Sequence, residues 1–390
     1  MRFIHFAALA SSVVGAALSQ EHQVVLHKDP PSSSSDVSGL NVDDRALLDL
    51  HKSLIEAEST SRGLEKNAAD VLLAYFGDLG WSVQTFPTFG NGARSNVLAW
   101  PGRTNRTRLL VTSHIDTVPP YIPYSVHDGA IWGRGSADAK ASVATQIEAV
   151  RRLIGKDMIS ADDVALLYVV GTDGMKSFSQ DMIRENRTWE TVVFGEPTEN
   201  KVAVGHKGMV LFNVSCSGKA SHSGYPELGS SANEKLVDVL HELKHHDWPV
   251  DKSLGNTTFN IGRIEGGVAA NVVPASASAD LSIRVSRSLD DILTYLRNVV
   301  ATSPDTSYEI FQAVVPTVLD SLAGTKFDEI VVNYSTDVPN LSREVATGKR
   351  YLFGPGSILL AHGDNEHIKI KELLGTAHDY ELIFNLLLKH

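Results

Sequence analysis

The first clear periodicity begins near Asp43, where Leu47, Leu50, Leu54 and Ile55 fall on one helical face, and residues 68–76 repeat the spacing. Beyond them, apolar positions come in short unbroken runs separated by longer amphipathic stretches. Residues 109–112, 164–170 and 192–194 read as strands buried on both faces, and residues 137–154 as a helix. Apolar strands alternating with helices predict an α/β fold with a mostly parallel sheet flanked by helices. The pattern changes after Lys207. Residues 209–215, 258–264 and 277–285 read as strands, two of them with alternating polar and apolar positions, and residues 231–244 and 288–300 as helices. That order predicts a small α+β unit with an antiparallel sheet. The tail returns to the first style, with a strand at 357–361 and a closing helix at 379–388. The chain therefore divides into a leader (1–19), a linker (20–42), a main domain in two parts (43–205 and 313–390) and a domain inserted at 206–312.

The leader carries Arg2, an apolar stretch from residue 6 to 18 and then Ser19, with Ala16 and Ala17 before it. One positive charge, a short apolar core and small residues predict a secretory signal peptide and an extracellular, secreted protein. The stretch is shorter than the ~20 residues needed to span a bilayer, and no later run is long enough, so no membrane partner is expected. Asn-x-Ser/Thr sequons at Asn105, Asn186, Asn213, Asn256, Asn333 and Asn340 agree with export and glycosylation. The single cysteine, Cys216, precludes an intramolecular disulfide and reads as a buried, inert strand thiol. A formal charge of −11 argues against a nucleic-acid partner, because phosphate recognition requires clustered Lys and Arg.

Candidate chemistry collects where apolar strands end. His114 and Asp116 directly follow the 109–112 run; in an open α/β sheet such ends face the ligand crevice. A metal-bound imidazole usually donates its second N–H to a carboxylate or carbonyl, so an acid beside it is chemically expected, although Asp116 could equally serve a turn. Asp138 lies in Gly133-Arg134-Gly135-Ser136-Ala137-Asp138-Ala139-Lys140, where Ser136 could cap the following helix and Asp138 occupy its first turn. Glu196, followed by Pro197, ends the 192–194 strand, and His362 ends the strand predicted at 357–361. Two histidines and several acids gathered this way suit a borderline metal such as zinc.

These segments, Ser-His-Ile-Asp-Thr-Val-Pro, Gly-Arg-Gly-Ser-Ala-Asp-Ala-Lys, Gly-Glu-Pro-Thr and the late Ala-His, resemble the zinc exopeptidase family of aminoacylase, acetylornithine deacetylase, succinyl-diaminopimelate desuccinylase and glutamate carboxypeptidase. The resemblance covers nearly all of the chain after the linker, and residues 351–357 look most like the secreted fungal carboxypeptidase branch. It implies a catalytic domain with an inserted lid and dimerisation domain, two zinc ions, a peptide or N-acyl amino acid substrate and a possible homodimer. By the same resemblance His114 and Glu196 would hold one zinc, His362 the other, Asp138 would bridge them and Asp116 would orient His114. His222 would help polarise the scissile carbonyl, often across a dimer interface, while Asn271 and Arg284 would bind the substrate carboxylate.

One segment departs from the family pattern. After the strand ending at Val170 the family has Gly-Glu-Glu, the first Glu a general base and the second a zinc ligand. This chain has Gly171-Thr172-Asp173. Either Thr172 replaces the base and Asp173 the ligand, or a short deletion has removed both glutamates. A positioned general base is worth roughly 10²–10⁴ in rate, so two readings stay open: a zinc-dependent carboxypeptidase or amidohydrolase, and a catalytically impaired pseudoenzyme that keeps the fold, with or without zinc.

Overall fold

The computed structural model describes residues 40–60, 63–88 and 94–389. The segments expected to be a signal peptide and most of a linker lie outside the described residues. Helices α1 (Val42–Glu56) and α2 (Glu65–Asp78) lead into strands β1 (Ser82–Pro87), β2 (Ser95–Trp100) and β3 (Leu109–His114). A small hairpin, β4 (Ser125–His127) and β5 (Ala130–Trp132), precedes α3 (Lys140–Gly155). Then come β6 (Val164–Val169), α4 (Gly171–Arg184), β7 (Trp189–Phe194) and β8 (Val202–His206). The next segment contains β9 (Gly208–Ser217), β10 (Ser221–His222), α5 (Ala232–His245), β11 (Val250–Asp251), β12 (Gly255–Asn256) and β13 (Thr258–Gly266). It continues through β14 (Val272–Val273), β15 (Ser276–Val285), α6 (Leu289–Thr302) and β16 (Thr306–Val314). The chain closes with β17 (Thr317–Val318), β18 (Glu329–Val332), β19 (Ala346–Leu352), β20 (His367–Lys369) and α7 (Ile370–Leu388).

The large sheet runs β1-β2-β6-β3-β7-β19-β8-β17, with β18 also paired to β8. Its centre is parallel, β6 to β3 to β7 to β19, and its flanks are antiparallel apart from β18, which runs parallel to β8. The continuous apolar runs have the predicted cause. Val164, Leu166 and Tyr168 pack under α1, α2, α3 and α7, while Ala165, Leu167 and Val169 pack against α4 on the other face. Each of the Val and Leu side chains contributes about 1.5–3 kcal/mol by leaving water, and no residue of β6 is left over for solvent.

The second sheet, β13-β15-β9-β16, is antiparallel throughout. Val210, Phe212, Val214 and Cys216 point from β9 into a core with α5 and α6, and the intervening residues point away. The buried Cys216 agrees with the expected inert thiol. Its chain leaves the large sheet after β8 and returns at β17, and those two strands pair with each other.

Three sequence expectations need correction. Residues 357–361 are not a strand but a series of turns with Leu359 85% exposed; the strand that returns to the large sheet is β19. The closing helix begins at Ile370, well before residue 379. Helix α3 begins at Lys140 with no side-chain cap, so Ser136 is not its cap and Asp138 precedes it.

Candidate metal centre and substrate cavity

The C-terminal ends of the central parallel strands meet at one rim. His114 closes β3, and its Nδ1 donates to the carbonyl of Asp116 at 3.0 Å, with an Asp116 carboxylate oxygen 3.5 Å away. That fixes the ring and turns Nε2 toward Asp138 Oδ1 at 3.0 Å and Glu196 Oε2 at 3.8 Å. Glu196 follows β7 through Gly195, which lies so close to α3 that a Cβ there would stand 2.4 Å from Gln146 Nε2. Gly195 is held on both sides, its N–H donating to Thr112 O and its carbonyl accepting from Ser113 Oγ.

Asp138 is held by a group that sequence reasoning gave no role. Glu366 Oε1 accepts the N–H groups of Gly135, Ala137 and Asp138 at 2.9, 3.1 and 3.1 Å, and its Oε2 accepts Arg134 Nη1 at 2.8 Å. Both side chains are 1% exposed. Arg134 also donates to Gly363 O, in the turn that carries His362. One buried ion pair thus fastens the Asp138 loop to the His362 turn. His362, in the left-handed region at φ 64°, reaches the second oxygen of Asp138 at 3.3 Å.

The donor atoms of His114, Asp138 and Glu196 lie within 4.8 Å of one another. That is close to the span of one ion with bonds of ~2.0–2.2 Å, and mixed imidazole and carboxylate donors suit zinc-like metals. Asp138 offers one oxygen to each imidazole, the disposition of a bridging carboxylate. Burial disfavours charge on the His114 ring, but hydrogen bonds to Asp116, Asp138 and Glu196 outweigh it and hold the imidazole well above its ordinary range. Burial raises Asp138 too, yet the two histidines hold it far below a usual carboxylate. Burial pushes Glu196 up. Such a crowd of carboxylates favours positive charge between them, and a divalent cation would supply it.

Above this rim lies a cavity of about 520 Å³. Its floor carries His114, Asp138, Glu196 and His362. Its far wall is the open face of the second sheet, with Met209, Leu211, Arg284 and Gln312. Burial lowers the pKa of Arg284, which lines the same cavity as the candidate metal ligands.

The remaining predicted residues lie elsewhere. Asp173 is exposed in the first turn of α4 and is outside the ligand cluster. Helix α4 starts immediately at Gly171 because Asn96 pins the turn, accepting from Val170 N and donating to Gly174 O, so the third residue swings outward. Thr172 does line the cavity. His222 and Asn271 are exposed and adjacent, joined through the Ser223 N–H to Asn271 O bond, but do not line this cavity. Asp337, which sequence reasoning missed, lines it beside His114. It lies five residues past the short apolar run Ile330-Val331-Val332 rather than at its end, and nothing in Ser335-Thr336-Asp337-Val338-Pro339 separates it from an ordinary turn.

Comparison with known proteins gives a consistent picture. A family model described as a peptidase dimerisation domain matches residues 204–304. A peptidase M20 domain-containing protein of Schizosaccharomyces pombe is 41% identical over 95% of this chain and 92% of its own length. A probable carboxypeptidase of Aspergillus oryzae is 38% identical over 95% of this chain and 96% of its own. Among solved structures, a tripeptidase of Staphylococcus aureus shares the fold with a TM-score of 0.74 at 19% identity, covering 89% of this chain and 99% of that one. A metallo-carboxypeptidase of Sulfolobus solfataricus does so with a TM-score of 0.71 at 15% identity and the same coverage.

Proposed function

Because the chain belongs to the M20 peptidase family, we propose that it is a secreted, zinc-dependent exopeptidase acting on small peptides or N-acyl amino acids with a free carboxylate, most simply a carboxypeptidase. The observation that carries this reading is the cavity itself, with a zinc-type ligand cluster on its floor and Arg284 on the facing wall.

His114, Asp138, Glu196 and His362 would hold two zinc ions, with Asp138 between them. Zinc there would polarise the scissile carbonyl and make water a competent nucleophile near neutral pH. The chain's own groups arrange the rest. Asp116 orients His114, and Glu366 presents Asp138. Arg284 takes the substrate carboxylate, for which its planar fork is suited. His222 and Asn271, exposed on the inserted unit, would complete the cavity of a second copy in a homodimer. Export is supported by the leader and by the exposed sequons at Asn186, Asn256 and Asn333. The amides of Asn213 and Asn340 already donate to Asp280 and Asp337.

The test is elemental analysis of protein never exposed to chelator, run beside cleavage of one dipeptide series with free and amidated C-termini. One or two zinc ions per chain and cleavage of the free acids alone are expected. Protein that refuses zinc would overturn the reading; zinc bound without any cleavage would return the pseudoenzyme.

A further inference from the structure

A hydrolase reading leaves one gap, since neither Thr172 nor Asp173 can take a proton from water at this rim. A threonine hydroxyl is not a base near neutral pH, and Asp173 faces solvent. The acids that do line the cavity are Asp116, Asp138, Glu196, Glu366 and Asp337, and four of them are committed. Asp116 lies behind His114, on the Nδ1 side. Asp138 lies between two imidazoles, and Glu196 belongs to the same cluster. The Glu366 carboxylate is saturated by three backbone N–H groups and Arg134.

Asp337 remains. It lines the main cavity and also a small recess shared with His114 and Glu196 at the ends of β3 and β7. Asn340 Nδ2 donates to its Oδ1 at 3.0 Å, and the Thr172 hydroxyl hydrogen-bonds to it. Thr172, at the start of the segment that departs from the family pattern, is therefore bonded to a carboxylate from a different segment. No Lys or Arg forms a salt bridge with Asp337 among the described residues, and the nearby imidazole of His114 is the charge that opposes its burial. Burial raises its pKa above the usual carboxylate value, against the opposing effects of His114, Asn340 and Thr172.

We propose that Asp337 is a catalytic residue of this chain, supplying from the loop after β18 the proton-accepting carboxylate that is missing after β6. This rests on the hydrolase reading above. Water forms a C–O bond to the scissile carbonyl carbon and gives one proton to Asp337. Asp337 returns that proton to the amide nitrogen as the C–N bond breaks, leaving a carboxylic acid and an amine and regenerating the carboxylate.

The test compares wild type, Asp337→Asn and Asp337→Ala for turnover, zinc content and zinc affinity by competition with a chromogenic chelator. Asp337→Asn, which keeps shape and hydrogen bonds, is expected to lower kcat by ~10²–10⁴ with KM, zinc content and zinc affinity unchanged. Added formate, a small carboxylate, should restore part of the rate to Asp337→Ala. An active wild type with an equally active Asp337→Asn overturns this assignment and leaves the hydrolase reading standing. Loss of zinc from Asp337→Asn also overturns it, because Asp337 is then a ligand. A zinc-loaded wild type that cleaves nothing removes the hydrolase reading and the assignment together.

Discussion

The two largest sheets among the described residues use their faces in opposite ways. In the central strands of the large sheet both faces are buried, and the candidate site sits on the rim where β3, β7 and their neighbours end. In the small sheet one face is core and the other lines the cavity, so Met209, Leu211 and Arg284 are presented from residues held within the β9–β15 ladder. A rim is made of loops, and loops carry chemistry only when something pins them. The wall needs no pins, because the ladder already fixes each residue. Ligand geometry on the rim should therefore be coupled to stability, while the wall should be free to change specificity without cost to the fold.

The strongest way to break that contrast is Glu366→Gln. Removing one partner of a buried pair costs about 3–5 kcal/mol, and releasing the Asp138 loop should weaken metal binding ~10–100-fold. Chemical denaturation and chelator competition read the two effects; if only one moves, the clasp does not couple them. Arg284→Lys on the wall should leave both unchanged. It keeps the charge but loses the fork, so kcat/KM for substrates with a free carboxylate should fall by roughly 10–100-fold, corresponding to about 1.5–3 kcal/mol for a charge-assisted contact. Equal loss on amidated substrates would remove Arg284 from carboxylate recognition.

The smallest effect sharpens the contrast through pH. His51 on α1 is fully buried, its Nε2 donates to Ser136 O in the Asp138 loop, and burial holds its pKa at about 3 against 6.5 for the free side chain. Below 6.5 the unfolded chain binds a proton that the folded chain does not. This contribution is thus complete above 6.5 and is lost as the pH falls toward 3. Between pH 7 and 5.5 the loss is about 1 kcal/mol. His51→Gln should flatten the stability curve by that amount in that window; an unchanged slope would assign the acid sensitivity to other groups.

What could be read in advance follows the same division. His114 and Glu196 were legible because each ends an unbroken apolar run, and the position of a strand end is local information. His362 was also picked out, but for the wrong reason. The run Ile358-Leu359-Leu360 looks like a strand, yet these residues form turns, and the histidine is placed by the turn tied through Gly363 to Arg134. Strand β19 escaped notice because Thr347, Gly348 and Lys349 interrupt its apolar pattern and are exposed where its pairing with β7 is irregular. β16 escaped because its outward face alternates with polar residues, as in Ser307, Glu309 and Gln312. Asp173 and Asp337 exchanged importance for a reason no spacing carries. The first turns outward where Asn96 pins the start of α4, and the second is brought in from a loop far away in sequence.

The position of β19 between β7 and β8 also sets a clock for the nascent chain. Translation adds ~5–20 residues per second, so β7 waits several seconds, through the whole of β9 to β16, before its neighbour is made. By then the small unit from Gly208 to Val314 has all its strands and can close on local contacts alone. The large sheet meanwhile presents the open edge of β7, the kind of edge that recruits foreign strands. Slowing elongation between residues 315 and 352 should therefore raise aggregation of the nascent chain more than the same delay placed after residue 352.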